Sequence, residues 1–273
     1  MTPTIPGRAG ATIPGRAGEL LASLGDRAVL CDLYDEIGSG VYHDIAGRDP
    51  QEVRELLGLV RATPGPVLDL AAGSGRLTMP LLALGREVTA LDLSEHMLAL
   101  LRARLDAAPA LRERCTVVRG DMSAFALGRR YPVIVLGTTS ISLLDEAGRS
   151  GLYEAVLAHL EPEGRFLLTT VAVDPGYAGP AEVEEEYTTA GGRAFRIFEH
   201  WVTGDAARTV TIFPAEPGPA GPVEVCTTSV GVLPADRLEA ELTAAGFAVH
   251  GRTVLPSVSR RLGDVLLETG ARA

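Results

Sequence analysis

Three aspartates at the ends of short apolar runs are the residues of this chain best placed to do chemistry. Asp69 lies in Val67-Leu-Asp-Leu70, Asp92 closes Glu87-Val-Thr-Ala-Leu-Asp92, and Asp121 follows Thr116-Val-Val-Arg-Gly120. Between the first two sits Gly73-Ser-Gly75-Arg76, whose glycines let the backbone turn tightly and approach a ligand with no Cβ in the way. A carboxylate at a second strand end, here 23 residues beyond Asp69, can accept both hydroxyls of a ribose. Asp121 adds a third carboxylate at a third strand end. Together they describe a site for a nucleoside.

Such a site requires parallel strands whose carboxyl ends line up. Pro66 and the run Val67, Leu68, Leu70 predict a strand covered on both faces. Leu77, Leu81, Leu82 and Leu84 predict the helix after the glycine turn, with Pro80 in its early turns and Gly85 ending it. Ser94 caps a helix whose inward residues are Met97, Leu98, Leu101 and Leu105. Further strands are expected at Thr116–Arg119, Tyr131–Leu136 and Arg165–Val171, with a helix from Glu146 to about Leu160. From Glu182 to Val232 the period changes to two, which predicts three or four antiparallel strands inserted late in the core. A helix over Asp236–Ala245 and strands over Phe247–Leu255 and Asp264–Glu268 complete the sheet.

Upstream, Asp49-Pro50-Gln51-Glu52 reads as a capping box, with Asp at the N-cap and Glu three residues on. Val53, Leu56, Leu57 and Val60 give that helix its apolar face. From Glu19 to about Gly38, Leu20, Leu21, Leu24, Val29, Leu30 and Leu33 recur at helical spacing. Residues 4–10 and 12–18 repeat Thr-Ile-Pro-Gly-Arg-Ala-Gly, which reads as a flexible tail. The expected division is therefore a repeat tail over 1–18 and an N-terminal helical lid over 19–64. A Rossmann-like core follows over 65–172, an antiparallel β cap over 173–232, and the completion of the core over 233–273.

A dinucleotide fingerprint wants a third small residue, and Gly73-Ser-Gly75-Arg-Leu-Thr78 lacks it. The pattern Asp69-x-x-x-Gly73-x-Gly75 instead resembles motif I of class I S-adenosylmethionine (SAM)-dependent methyltransferases. Ala71 stands where that family commonly has glycine, and Gly120-Asp121-Met122 resembles a second signature of the family. The resemblance implies an α/β, Rossmann-like, seven-stranded and mostly parallel sheet with helices on both faces. It implies SAM as cofactor, held by Asp69, Ala71, Gly73, Gly75, Asp92, Leu93, Met97, Asp121, Met122, Leu136 and Gly137. Tyr34 and Tyr42 take the place of lid tyrosines that close over the cofactor, and Thr138 and Thr139 that of substrate-facing groups.

Composition narrows the class. A formal charge of −10 opposes a nucleic-acid surface, and the absence of lysine excludes Schiff-base lysine chemistry. Cys31, Cys115 and Cys226 are far apart, so neither a disulfide framework nor a metal site is suggested. No signal peptide or run of transmembrane length is found, so a cytoplasmic protein is expected. The oligomeric state stays open, with a homodimer among the options.

Methyl transfer from a sulfonium asks the protein to orient a nucleophile and exclude water. An amine must also lose a proton before it attacks. His43, beside Tyr42, is the favoured base. His200, Trp201 and Glu184 in the cap are expected to face the substrate, while His96, His159 and His250 read as surface positions. An acidic entrance suits a small-molecule or peptide amine. Arg27-Ala-Val-Leu-Cys-Asp-Leu-Tyr34-Asp35 with Val41-Tyr-His-Asp44 further resembles methyltransferases that dimethylate the C-terminal amine of daptide-type ribosomal peptides. An O-methyltransferase, an NAD-dependent oxidoreductase and a non-catalytic SAM-binding protein are the alternatives.

Overall fold

The computed structural model describes residues 12–45, 50–174, 176–189, 191–256 and 261–272. The chain forms two compact units, one of Asp49–Asp174 with Leu233–Ala273 and one of Met1–Arg48 with Pro175–Val232.

The first unit is a three-layer α/β sandwich. Its strands are β2 (Val67–Leu70), β3 (Val88–Asp92), β4 (Cys115–Arg119), β5 (Tyr131–Leu136), β6 (Leu160–Val173), β11 (Phe247–Val254) and β12 (Leu262–Ala271), with β1 and β7–β10 belonging to the second unit. They lie in the order β4-β3-β2-β5-β6-β12-β11. All neighbours from β4 to β6 pair parallel, and β12 runs antiparallel to both β6 and β11. The sequence anticipates this seven-stranded mixed sheet. Its central strands are apolar on both faces because helices cover both. Leu68, Leu70, Ile134, Leu136, Phe166 and Leu168 pack with α7 (Glu146–His159) and α8 (Ala235–Ala244). The alternate residues Val67, Val88, Ala90, Val133, Val135 and Leu167 pack with α3 (Gln51–Ala62), α4 (Thr78–Ala83) and α5 (Glu95–Asp106). Strand order reverses between β2 and β5, and ligands of open α/β sheets bind at the carboxyl ends there.

The second unit is a five-stranded sheet in the order β1-β10-β9-β8-β7. Four antiparallel strands make up most of it: β7 (Glu182–Thr188), β8 (Ala194–His200), β9 (Ala207–Pro214) and β10 (Val223–Gly231). The fifth departs from the expected helix. The first helix, α1 (Gly15–Leu24), stops at Gly25, and Ala28–Asp32 forms β1, parallel to β10. Val29 and Leu30 fit a helical count, but pairing with β10 satisfies the backbone and buries Cys31. The helix α2 (Gly38–Ile45) follows, and α6 is the short turn Pro109–Arg112 of the first unit.

Several other expectations change. Ile13, in the second copy of the repeat, is 6% exposed and packs with Ala17, Leu21, Phe198 and Phe213, so this copy belongs to the folded unit. The first copy and Asp49 lie outside the described residues. Cys31 and Cys226 are register partners, with sulfurs 2.8 Å apart. His159 is buried: its Nε2 accepts from the Leu127 amide at 2.9 Å, and Nδ1 lies 2.7 Å from the Ala155 carbonyl oxygen. That pairing makes Nδ1 the protonated nitrogen. His96 and His250 are exposed, as expected.

Candidate functional site

The carboxyl ends of β2 to β5 bring the three aspartates to one edge of the sheet. Asp92 fixes the turn across from it, because Oδ2 accepts from the Gly73 amide at 2.7 Å and Oδ1 from the Ser94 amide at 2.8 Å. Burial raises its pKa, and these backbone bonds oppose the rise. Each oxygen retains acceptor capacity for a hydroxyl. Ser94 then caps α5 by accepting from the Met97 amide. Leu93, beside Asp92, is 63% exposed and offers an apolar side chain to a flat ring. Asp121 is exposed, with Oδ1 accepting from the Ser123 amide and hydroxyl at 2.8 and 2.7 Å. Met122 packs at the edge of the core.

Asp69 is enclosed. It is 1% exposed, Oδ2 accepts from the Thr78 hydroxyl at 2.6 Å, and Oδ1 has no hydrogen-bond partner among the described residues. Burial raises its pKa to about 7; the Thr78 bond opposes the rise and the charge of Asp92 adds to it. Met97 and Leu136 are also enclosed, at 1% and 0% exposure, and serve as packing behind the edge.

The glycine turn divides its labour. A Cβ on Gly75 would come within 2.5 Å of Leu101 Cδ1, so this glycine lets the turn close on α5. Gly73, at φ +55°, would direct a Cβ into open space with only the Ala71 oxygen at 4.0 Å. That space is what a ligand running past the turn requires. Ala71 itself adopts φ 50°, the left-handed region in which glycine carries no Cβ penalty.

After β5, Gly137 leads into Thr138 and Thr139, which take φ values of 59° and 51° in succession. Sequence reasoning missed what holds them. Glu52, the acid of the expected capping box, reaches across to other segments: its Oε1 accepts from the Thr138 amide at 2.5 Å and the Thr169 hydroxyl at 2.6 Å, and Oε2 pairs with Arg76. Glu52 lies four and eight residues before Leu56 and Val60, at 1% and 0% exposure. Its place on that buried stripe is the signal that could have revealed it.

The second unit gathers the remaining residues. Asp35 organises the turn before α2 by accepting from the amides of Asp32, Ile37 and Gly38 at 2.8–2.9 Å. Gly38 is required because a Cβ there would meet the Asp32 oxygen at 2.0 Å. The turn sets the Tyr34 and Tyr42 rings 5.6 Å apart and tilted by 55°, both packed beside Phe195 and Ile197, with His43 next along α2. Glu184 pairs with Arg16 and Arg196. Trp201 is 2% exposed and donates its indole N–H to the Asp205 oxygen at 2.8 Å, while His200 is partly buried opposite Glu182. Glu182 accepts from the Arg16 and Ala17 amides at the start of α1. Among the described residues no cluster of three metal-ligating side chains occurs, and no helix is long and apolar enough to cross a membrane.

Comparison with known proteins agrees with this geometry. A methyltransferase-domain family model matches residues 67–164. The glycopeptide N-methyltransferase MtfA, solved with SAM bound, is 37% identical over 96% of this chain and 99% of its own, with a TM-score of 0.67. The CcbJ methyltransferase from Streptomyces caelestis shares the fold at 21% identity, over 89% of this chain and 99% of its own, with a TM-score of 0.73. The amino pentose methyltransferase CalS10 from Micromonospora echinaspora does so at 18%, over 87% and 98%, with a TM-score of 0.63. Comparison with curated protein sequences gives no match. Turn, aspartates, sheet order and a relative of this identity over nearly the whole chain together establish that the protein belongs to the class I SAM-dependent methyltransferases, with SAM as its cofactor.

Proposed function

We propose that the protein N-methylates an amine carried by a natural product. The observation that carries this reading is 37% identity, over 96% of the chain, to a glycopeptide N-methyltransferase. SAM, when bound, supplies a methyl group already activated on a sulfonium. The residues of this chain then bind and orient it: Asp92 toward the ribose, Asp121 and Leu93 toward the adenine, and the Gly73 turn toward the methionine portion. An ammonium has no lone pair, so a general base, or a desolvated site that lowers the amine's own pKa, assists an amine acceptor. His43, on α2 beside the Tyr34–Tyr42 pair, is the base this reading favours. A glutamate-rich entrance is a weaker support than the sequence suggests, because Glu182 serves the start of α1 and Glu184 is matched by two arginines.

The narrower proposal concerns the acceptor. The segment from Arg27 to Asp35, with Val41 to Asp44, supports a peptide amine of the daptide type; it includes β1, the turn that carries Tyr34 and the part of α2 that carries Tyr42. The test is methyl incorporation into a panel of aminosugar, peptide-amine, phenol and carboxylate acceptors across roughly pH 6–9, around the reference histidine value of about 6.5. Amines should react, with rates rising with pH, and His43→Ala should slow turnover while sparing SAM affinity. Methylation of oxygen acceptors with amines inert would refute the reading.

A further inference from the structure

We infer that Glu52 is a positioning residue of the cofactor site, tying the glycine turn to the loop after β5 and favouring the sulfonium cofactor over the uncharged thioether left after transfer. The inference rests on the SAM chemistry of the family and holds for any acceptor. An acid in the first turn of α3 could serve only that helix's dipole. The carboxylate of Glu52 is instead engaged by three other segments. Oε1 accepts from the Thr138 amide and from Thr169 on β6, and Oε2 pairs with Arg76, whose guanidinium also donates to the Thr138 hydroxyl at 2.7 Å.

The placement matters because of where these segments begin. Leu70 and Leu136 are partners at the ends of β2 and β5, so the glycine turn and the Thr138 loop leave the sheet side by side where strand order reverses. Two successive β-branched residues in the left-handed region do not hold themselves there. Glu52 holds Thr138 by its amide, and Thr169 holds Thr139 by accepting from its amide at 3.0 Å. Gly137 makes the approach feasible: a Cβ there would lie 2.5 Å from Leu77 Cδ1 and 3.0 Å from Glu52 Oε1. Glu52 is only 6% exposed, so its charge is little screened by water. It offsets the positive charge that Arg76 brings to the same wall.

The charge gives the test a readout that a purely structural role would not move. Binding of SAM and of S-adenosylhomocysteine to the full chain is measured by calorimetric titration, with circular dichroism and thermal melting to confirm folding. Glu52→Gln should lower SAM affinity more than S-adenosylhomocysteine affinity, on the order of tenfold, the size one charge exerts at about 12 Å with an effective dielectric constant of about 20. Arg76→Gln should move the ratio the opposite way, and it serves as the deciding variant where Glu52→Gln fails to fold. Thr169→Val, which changes no charge, should weaken both ligands alike. An unchanged ratio in a folded Glu52→Gln or Arg76→Gln protein would overturn the inference. A wild-type protein that binds neither ligand would overturn the SAM assignment itself.

Discussion

Replacing Asp69 by asparagine gives a prediction whose size follows from the structure. The native carboxyl is 1% exposed and titrates at about 7, against an ordinary value of 3.8. The displacement of about three pH units, at about 1.4 kcal/mol each, corresponds to about 4 kcal/mol between the two protonation states. The raised value fixes the sign. Between about pH 4 and pH 7 the native state keeps a proton that the unfolded state has lost, so this group makes stability fall as pH rises through that window. Above it, the full cost of ionising a buried carboxyl is present. The asparagine side chain cannot ionise, and any cost of burying its amide group is the same at every pH. Urea unfolding of ligand-free protein should therefore show the stability of Asp69→Asn gaining on wild type by roughly 2–3 kcal/mol between about pH 5 and pH 8. Parallel profiles would refute the reasoning, because they would mean that Asp69 has the same affinity for protons folded and unfolded.

Three further outcomes are expected. Asp92→Ala should weaken SAM binding by about 2–4 kcal/mol, since charged hydrogen bonds contribute about 1.5–3 each and the Gly73 amide loses its acceptor; titration calorimetry measures it, and unchanged affinity would remove Asp92 from the ribose. Gly73→Val should fold with a loss of about 1–2 kcal/mol for left-handed strain and lose SAM binding, because its side chain would occupy the open space beside the turn. Ala71→Gly should be neutral or stabilising by up to about 1 kcal/mol, a melting shift of about 2–4 °C at most; clear destabilisation would show that the left-handed alanine costs nothing.

What the sequence made legible was mostly local. Ser94 and the inward residues of α5, the Gly85 stop and the strand at Tyr131–Leu136 follow from caps and periods within a dozen residues. The aspartate-bearing edge was legible for the same reason, since Asp69 and Asp92 sit on their own strands and Asp121 two residues beyond a third. Long-range pairing was not. Ala28–Asp32 satisfies a helical count as well as a strand's, and only its register with β10 decides between them. Glu52 matched a local pattern for capping, and its partners lie 24 to 117 residues away. Cys31 and Cys226 looked unrelated because 195 residues separate two side chains that touch. The left-handed backbone at Thr138 and Thr139 had no sequence marker, since neither is glycine or asparagine.

The pairing of β1 with β10 has a consequence for how the chain is made. Each compact unit is assembled from two separated pieces, and the pieces interleave along the chain. As synthesis proceeds from the N-terminus, β1 emerges early but has no neighbour in its sheet until residues 223–227 exist. The α/β unit likewise waits for β12 and β11 at the chain's end. Neither unit can finish before most of the polypeptide has left the ribosome, and contacts of such long sequence separation close slowly. During that interval the edge of β1 stands unpaired and open to adventitious strands. Transposing residues 12–45 to directly before residue 176 would make the β unit contiguous, and its refolding should then be faster than in the natural order.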